Sequence, residues 1–479
     1  MKLIDLLKGV KYLDIKGSLG VEIEELCQNI YKIKKSSLFF CYKGINFDGH
    51  DIAYQAKSKG AVVLVVEKFL DIDLPQVLVK KTRKVMPKIC NNFFKNILSS
   101  LKLVGVTGTN GKTTTSHMIY DLLNMSGVKT GLIGTSGAKY SNNIINTGLT
   151  TPDTVDLFYL FNKMKQKEIT HVVMEVSAHA LYLDKLYGLK FEVGIFSNLS
   201  QDHLDFFKTV KKYALTKLKF LKRNFCKICL INIDDNFGKM FYKLSNSKKL
   251  SYSLENPADF FAIDVKLGLN YSQFIANLND EVINVFSNFS CKFNVYNLLS
   301  ALSCCNILGV KVNSLQNNVS KIKNVDGRMN LFLLKNGANA VIDYAHTPDG
   351  LEKVLISLRQ LLIGSKIITV FGCGGNRDAS KRSKMGEIAT RLSDKVFITS
   401  DNPRNENPYK IINDILKIVK KNNYEIEENR EKAIKKAIEF SSVGDIILIA
   451  GKGAENYQER QGVKYPFSDK RIIANFVEN

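Results

Sequence analysis

The chain's 479 residues predict an α/β protein of about three domains. Three observations carry that prediction. From Leu101 onwards, apolar strand-like runs alternate with amphipathic helical stretches, the pattern of parallel sheets covered by helices. The runs form two series, separated by a polar, Asn- and Ser-rich stretch at about residues 251–290. Nearly every unusual polar cluster follows the C-terminal end of a run, which is where open α/β sheets bind ligands.

Taken in chain order, residues 1–87 read as a small mixed α/β domain. It holds a strand at 37–42, the segment Lys43 to Asp51, a helix and a strand at Ala61–Val66. Residues 88–329 read as a central, P-loop ATPase-like parallel sheet with strands at 101–106, 171–176, 193–197 and 227–233. The polar stretch that follows is expected to add short antiparallel strands. Residues 330–479 read as a Rossmann-like sheet with strands at 340–343, 366–371, 395–399 and 445–450. Two such sheets with their polar ends facing would enclose one cleft.

Composition narrows the class. Hydrophobic content of 45% with 24% charged residues describes a soluble globular protein. No window reaches the roughly 18 uninterrupted apolar residues a membrane span needs. Asp5 and Lys8 break the opening apolar residues, so no signal peptide is expected. Nine cysteines, including Cys226, Cys229 and the adjacent Cys304 and Cys305, show no paired C-x-x-C spacing; reduced, buried thiols in the cytoplasm are expected. The net charge of +22 suits a nucleic-acid binder, but the basic residues are scattered and no RRM, KH or zinc-finger signature accompanies them. Only 11 of the 68 basic residues are Arg, so each Arg inside a motif marks a place for a planar fork. Arg328, Arg377, Arg382 and Arg404 are in such places.

The clearest chemistry lies after the run at 101–106. Gly108-Thr109-Asn110-Gly111-Lys112-Thr113-Thr114 reads as a phosphate loop: backbone N–H groups and a helix N-terminus close on phosphate oxygens, Lys112 reaches the terminal phosphates, and Thr113 is placed for Mg²⁺. One departure is Val106, where the strict pattern has Gly. Glu175 ends an apolar strand and is costly to bury unpaired, which suits a metal ligand beside the nucleotide; pairing with a structural Lys is the alternative. His203, in the polar cluster 198–205, offers a second ligand. Asp343 ends a strand of the second series, suited to a ribose hydroxyl. Asp401-Asn402-Pro403-Arg404 offers a rigid turn with a fork-shaped cation suited to a carboxylate, or simply a type I turn.

Together, GTNGKT, EVSAH, NLSQDHLD, FNVYN, GRM, DYAHTPD, GCGGNRD, DNPR and GKGAE occur in the order found in Mur ligases. Over residues ~40 to 470 the chain resembles that family, and within it the tripeptide-synthetase branch. The resemblance implies an ATP- and Mg²⁺-dependent amide ligase of peptidoglycan precursor synthesis. Its substrates would be UDP-MurNAc-L-Ala-D-Glu and an amino acid, joined through an acyl phosphate, in a cytoplasmic monomer. It implies a UDP-sugar-binding role for residues 1–87, ATP binding for 88–329 and amino-acid binding for 330–479. Lys112 and Thr113 match phosphate and Mg²⁺ positions, Glu175 and His203 second-metal positions, and Lys217 the lysine that is carbamylated to ligate metal. Asn294 and Asn297 match the adenine side, Arg328 the γ-phosphate arginine and Asp343 the ribose ligand. Thr150, Thr151 and Ser177 match the nucleotide-sugar peptide contacts, and Lys185, in the place of the family's Arg, is counted with them as substrate-binding. Arg382, Asp401, Asn402, Pro403, Arg404, Gly451 and Glu455 match the amino-acid site.

The DNPR form implies meso-diaminopimelate, whose distal end carries a carboxylate for Arg404 and an ammonium for Glu455; lysine has only the ammonium. Several positions depart from the family. Asn29-Ile30-Tyr31 replaces Asp-Ser-Arg, Leu183 and Lys185 replace Gln and Arg, and Asn330, Asn376 and Ala454 stand in GRMN, GCGGN and GKGAE. The metal and phosphate set is intact while the substrate side is eroded. A lysine-adding relative is opposed by Arg404, and folylpolyglutamate synthase by Lys43-Gly44 and Phe47 to His50. A nucleotide-dependent nucleic-acid binder is the alternative from another class.

Overall fold

The computed structural model describes residues 1–45, 47–361 and 364–478. Asn46, within the expected Lys43 to Asp51 segment, lies outside them. Three α/β units follow one another. The N-terminal sheet has five strands in the order Asp14–Lys16, Gln76–Leu78, Ala61–Val66, Ser37–Phe40, Glu25–Cys27, parallel except for the first pair.

The central sheet has eleven strands. Its parallel heart runs Lys248–Ser253, Cys226–Asn232, Phe191–Phe196, Lys102–Thr107, His171–Glu175, Thr130–Gly134. Apolar runs form the central four of these strands because helices cover both faces, while Lys248–Ser253 and Thr130–Gly134 are less apolar. The Asn- and Ser-rich stretch supplies Phe260–Leu267, Ser272–Leu278 and Glu281–Ser287, which extend this sheet. The last two pair antiparallel; Ile283, Val285 and Ser287 are buried while Asn284 and Phe286 between them are exposed, the period-two pattern of a half-covered sheet. Helix Lys292–Ile307 is buried along most of its length and packs against helix Lys112–Met125.

The C-terminal sheet has the order Asn330–Leu333, Asn339–Asp343, Ile446–Ala450, Ile367–Phe371, Lys395–Ile398, Tyr424–Ile426, with only the first strand antiparallel. It has apolar clusters of its own, on both faces. The N-terminal unit instead shares one continuous core with the central sheet, from Leu3 through Leu103 to Phe241. The expected boundary after residue 87 accordingly falls inside a helix, Thr82–Phe93. That helix packs on Leu3–Leu6 on one side and on Thr154–Lys165 on the other. All nine cysteines are buried and unpaired. Among the described residues, no helix is long and apolar enough to cross a membrane.

Candidate active site

One cleft of about 1830 Å³ is lined by the loops that follow the C-terminal ends of the central and C-terminal strands. Strand Lys102–Thr107 delivers the chain into the phosphate loop, and Gly111, at φ +87°, caps helix Lys112–Met125. A side chain at Gly111 would be strained by that φ and would run into Asn297. The neighbouring segment braces the loop: Asn110 N donates to Asn198 Oδ1 (3.0 Å), Ser197 Oγ to Asn110 O (2.7 Å) and Ser200 N to Thr109 Oγ1 (3.1 Å). Lys112 folds over the loop, its Nζ donating to the carbonyls of Gly108 (3.0 Å) and Thr109 (2.8 Å). Burial lowers its pKa, against the opposing pull of Glu175 and Asp202. Thr113 and Thr114 begin the helix and line the cleft beside it.

Glu175 ends its strand fully buried, with both carboxylate oxygens hydrogen-bonded. Thr113 Oγ1 donates to its Oε2 (3.0 Å) and Thr135 N to its Oε1 (2.8 Å). Among the described residues no lysine forms an ion pair with it. His203 adopts φ +54°, and its ring packs edge-on against His179, with Asp202 Oδ2 3.3 Å from its Nε2. Burial, with His179, Lys112 and Lys217 nearby, outweighs Asp202 and keeps His203 neutral at pH 7. Lys217, on helix Val210–Phe220, is buried with its Nζ donating to Gly108 O at 2.7 Å. Burial, reinforced by Lys112, pushes its pKa well below the usual lysine range.

Among the described residues no three His, Cys, Asp or Glu side chains converge as a preformed metal cage. Mg²⁺ does not demand one, since it is commonly held by one or two carboxylates, substrate phosphates and water. The Thr113–Glu175 pair beside the phosphate loop fits that pattern. The buried Lys217 fits only as a neutral amine or, once carbamylated, as an anionic ligand.

Asn294 and Asn297 project from helix Lys292–Ile307 into the cleft, joined by a 3.0 Å bond, while Asn297 Oδ1 accepts from Thr115 Oγ1 (3.2 Å). Arg328 stands at the junction with the C-terminal unit: its Nη2 lies 3.3 Å from Thr113 Oγ1, and its guanidinium stacks over Tyr344. Asp343 Oδ2 accepts from Met329 N (2.9 Å), and burial raises its pKa. Thr151 Oγ1 donates to the Glu175 carbonyl (2.8 Å) and accepts from Ser177 N (3.0 Å); Thr150 meets Thr135 at 3.1 Å. Lys185 pairs with Asp153 (2.8 Å) at the edge of the same wall.

At the other end, Asp401, Asn402, Arg404, Gly451 and Glu455 line the cleft together. Arg404 (φ +52°) donates from Nη1 to Gly375 O (2.7 Å), and its Nε lies 3.3 Å from Glu459 Oε2. Glu455 Oε2 accepts from Asn402 Nδ2 (2.8 Å) and from Lys452 Nζ (2.9 Å). Two expected members do not line the cleft. Arg382 is buried behind it, held by Glu406 through both terminal nitrogens and by Asp414 (all 2.9 Å), so its fork is already filled. Pro403 shapes the turn, its carbonyl lying against Gly375. Leu183 and Ala454 line the cleft, whereas Asn29, Ile30 and Tyr31 do not. No lining residue precedes Thr109, because the N-terminal unit joins the central one through helix Thr154–Lys165. Lys32 there pairs with Asp156 (2.7 Å), and Val155 N donates to Gln28 Oε1 (2.9 Å).

The sequence reading passed over Thr135 and Lys452. Thr135 follows a Gly-flanked strand, Thr130–Gly134, that the apolar runs did not mark. Lys452 stands inside GKGAE, and its position there is the only signal that would have found it.

Comparison with known proteins places these observations. The Mur ligase middle domain matches residues 106–305, the Mur ligase glutamate ligase domain residues 327–453, and the Mur ligase family catalytic domain residues 31–96. The chain is 42% identical over 483 residues to UDP-N-acetylmuramoyl-L-alanyl-D-glutamate--2,6-diaminopimelate ligase 1 of Clostridium acetobutylicum, covering 100% of this chain and 99% of that protein. It is 39% identical to the corresponding ligase of Aquifex aeolicus, covering 98% and 96%. A solved structure of a ligase with that same activity superposes with a TM-score of 0.72 at 29% identity, over 99% and 98% of the two chains. The MurF ligase of Thermotoga maritima in complex with ADP shares the fold, at a TM-score of 0.64 and 21% identity over 89% and 93%.

Proposed function

Since the chain belongs to the Mur ligase family, we infer that this ATP-dependent, ADP-forming ligase adds meso-diaminopimelate to UDP-MurNAc-L-Ala-D-Glu. The observation that carries the amino-acid choice is Arg404 at the cleft wall beside Asn402 and Glu455, a cation and an anion for one zwitterionic group. A carboxylate is a poor electrophile. Its oxygen attacks the γ-phosphorus of ATP, the bond to the β-phosphate oxygen breaks, and ADP leaves. The amine then attacks the acyl carbon, phosphate departs, and the amine gives up a proton.

Each residue group has a part in that sequence. Lys112 and the loop N–H groups hold the phosphates, and Arg328 brings positive charge from the junction with the C-terminal unit to the transferring end. Thr113, Glu175, His203 and carbamylated Lys217 would hold Mg²⁺, which when bound neutralises phosphate charge. Asn294 and Asn297 face the base and Asp343 the ribose. Thr150, Thr151, Ser177 and Lys185 take the dipeptide end of the nucleotide sugar. The N-terminal unit takes the uridine end, away from the cleft. All of these groups belong to one chain, which supports a monomer as the working unit.

ADP release with purified UDP-MurNAc-dipeptide, ATP, Mg²⁺ and meso-diaminopimelate tests this reading. Release that requires all components is expected. Release without the nucleotide sugar, or none with it, contradicts the reading.

A further inference from the structure

The hairpin Tyr457–Arg460/Val463–Pro466 lies against the turn that carries Arg404. Its backbone does the holding: Arg404 N donates to Glu459 O (3.0 Å), and Gln461 N donates to Arg404 O (2.7 Å). These two bonds fix Arg404 in its left-handed conformation whatever side chain stands at 459. The Glu459 side chain has a separate contact, its Oε2 lying 3.3 Å from Arg404 Nε. Glu459 also stands opposite Lys464, which lines the cleft.

A guanidinium grips a carboxylate with two parallel bonds, either side-on through Nε and Nη2 or end-on through both terminal nitrogens. Here Nη1 is engaged by Gly375 O and Nε by Glu459. An incoming carboxylate therefore meets Glu459 at the side-on edge. The two anions cannot share it, because like charges at that distance repel.

We propose that Glu459 is a specificity-determining residue: an internal carboxylate on the side-on edge of Arg404 that the distal carboxylate of the amino-acid substrate must displace. The proposal rests on the diaminopimelate reading above. It sets the strength of Arg404 toward a carboxylate-bearing substrate and leaves a substrate without that group untouched. Both side chains are partly exposed, at 19% and 24%, so the competition is modest.

The test is Glu459→Gln, which keeps size and backbone bonds and removes the charge. KM for meso-diaminopimelate should fall roughly two- to fivefold, the range of a partly exposed ion pair, with KM for L-lysine unchanged. Glu428→Gln, at a carboxylate that pairs with Arg460 on the same hairpin (3.3 Å), serves as the control for general charge and should change neither constant. An unchanged or raised KM for diaminopimelate in Glu459→Gln overturns the proposal. So does an equal fall for both amino acids, or the same fall in Glu428→Gln. A wild type that uses L-lysine and not diaminopimelate overturns the functional reading and this proposal with it. A wild type that prefers diaminopimelate, with an unresponsive Glu459→Gln, overturns the proposal alone.

Discussion

Lys217 concentrates the chemistry of this protein into one atom. Burial, reinforced by Lys112, pushes the Lys217 ammonium well below the usual lysine range, which favours the neutral amine. In the role proposed above, the amine would add to carbon dioxide: the N–C bond forms, one proton leaves, and the resulting carbamate anion would join Thr113, Glu175 and His203 as a metal ligand. The native protein should carry a labile mass increment on Lys217 that disappears on acid treatment. Lys217→Ala should lose nearly all turnover, with partial return on adding short carboxylic acids, and full activity in that variant would exclude the role. Glu175 was legible because it stands in the EVSAH motif at the end of an apolar strand, whereas Lys217 lies outside the quoted motifs and was singled out only through the family resemblance. The surroundings of Arg382 were not legible in the same way. The sequence shows an arginine in a motif but not that Glu406 and Asp414, far along the chain, fold back to fill its fork. Glu459 and Lys452 acquire their roles only through tertiary neighbours.

The loops of the C-terminal unit hold their places because the elements behind them are anchored. Arg430, on helix Arg430–Phe440, meets Asp469 of helix Asp469–Ala474 through Nε (2.8 Å) and Nη2 (2.9 Å), both side chains fully buried. Nη2 also donates to Ala450 O (3.0 Å), the last residue before Gly451 of the amino-acid site. Removing one partner of such a pair strands the other charge. Asp469→Ala should therefore cost about 3–5 kcal/mol in denaturant unfolding and raise KM for the amino acid more than for ATP; a loss under about 1 kcal/mol would mean the pair is structurally idle. Element legibility followed residue type. Long Val, Leu and Ile runs announced their strands within a residue or two. Thr130–Gly134, bracketed by glycines, and Lys248–Ser253, largely polar, did not, because only their neighbours in the sheet make them strands.

The central and C-terminal units are joined by contacts across the cleft. Asn110 donates to Asp349 (2.9 Å), Arg328 to Thr113 (3.3 Å), and Lys384 to Gln201 (2.9 Å). His346 is at this junction, its Nδ1 2.8 Å from the Tyr344 carbonyl; burial, with Lys381 and Arg328 nearby, lowers its pKa to about 4 against the pull of Asp202. A histidine whose folded pKa lies below its unfolded value binds its proton more readily when unfolded. Stability is thus fully present above about 6.5 and is lost as pH falls from there towards 4. The slope approaches about 1.4 kcal/mol per pH unit for such a site. Thermal melts from pH 7 to 4.5 should show that slope reduced in His346→Asn, and an unchanged slope would place the titration elsewhere. At this scale the fold class and the single shared cleft were readable from apolar runs and the polar clusters after them. Strand order, and the fusion of the N-terminal core with the central one, were not, since neither is written in local pattern. The central claim, a ligase whose Arg404 selects diaminopimelate, is tested most directly by the ratio of kcat/KM for meso-diaminopimelate and L-lysine in wild type and Arg404→Ala. The wild type should strongly prefer diaminopimelate, and the variant should lose about 2–5 kcal/mol of that preference, with lysine use nearly unchanged. A wild type that prefers lysine, or a ratio unmoved by the substitution, would contradict it.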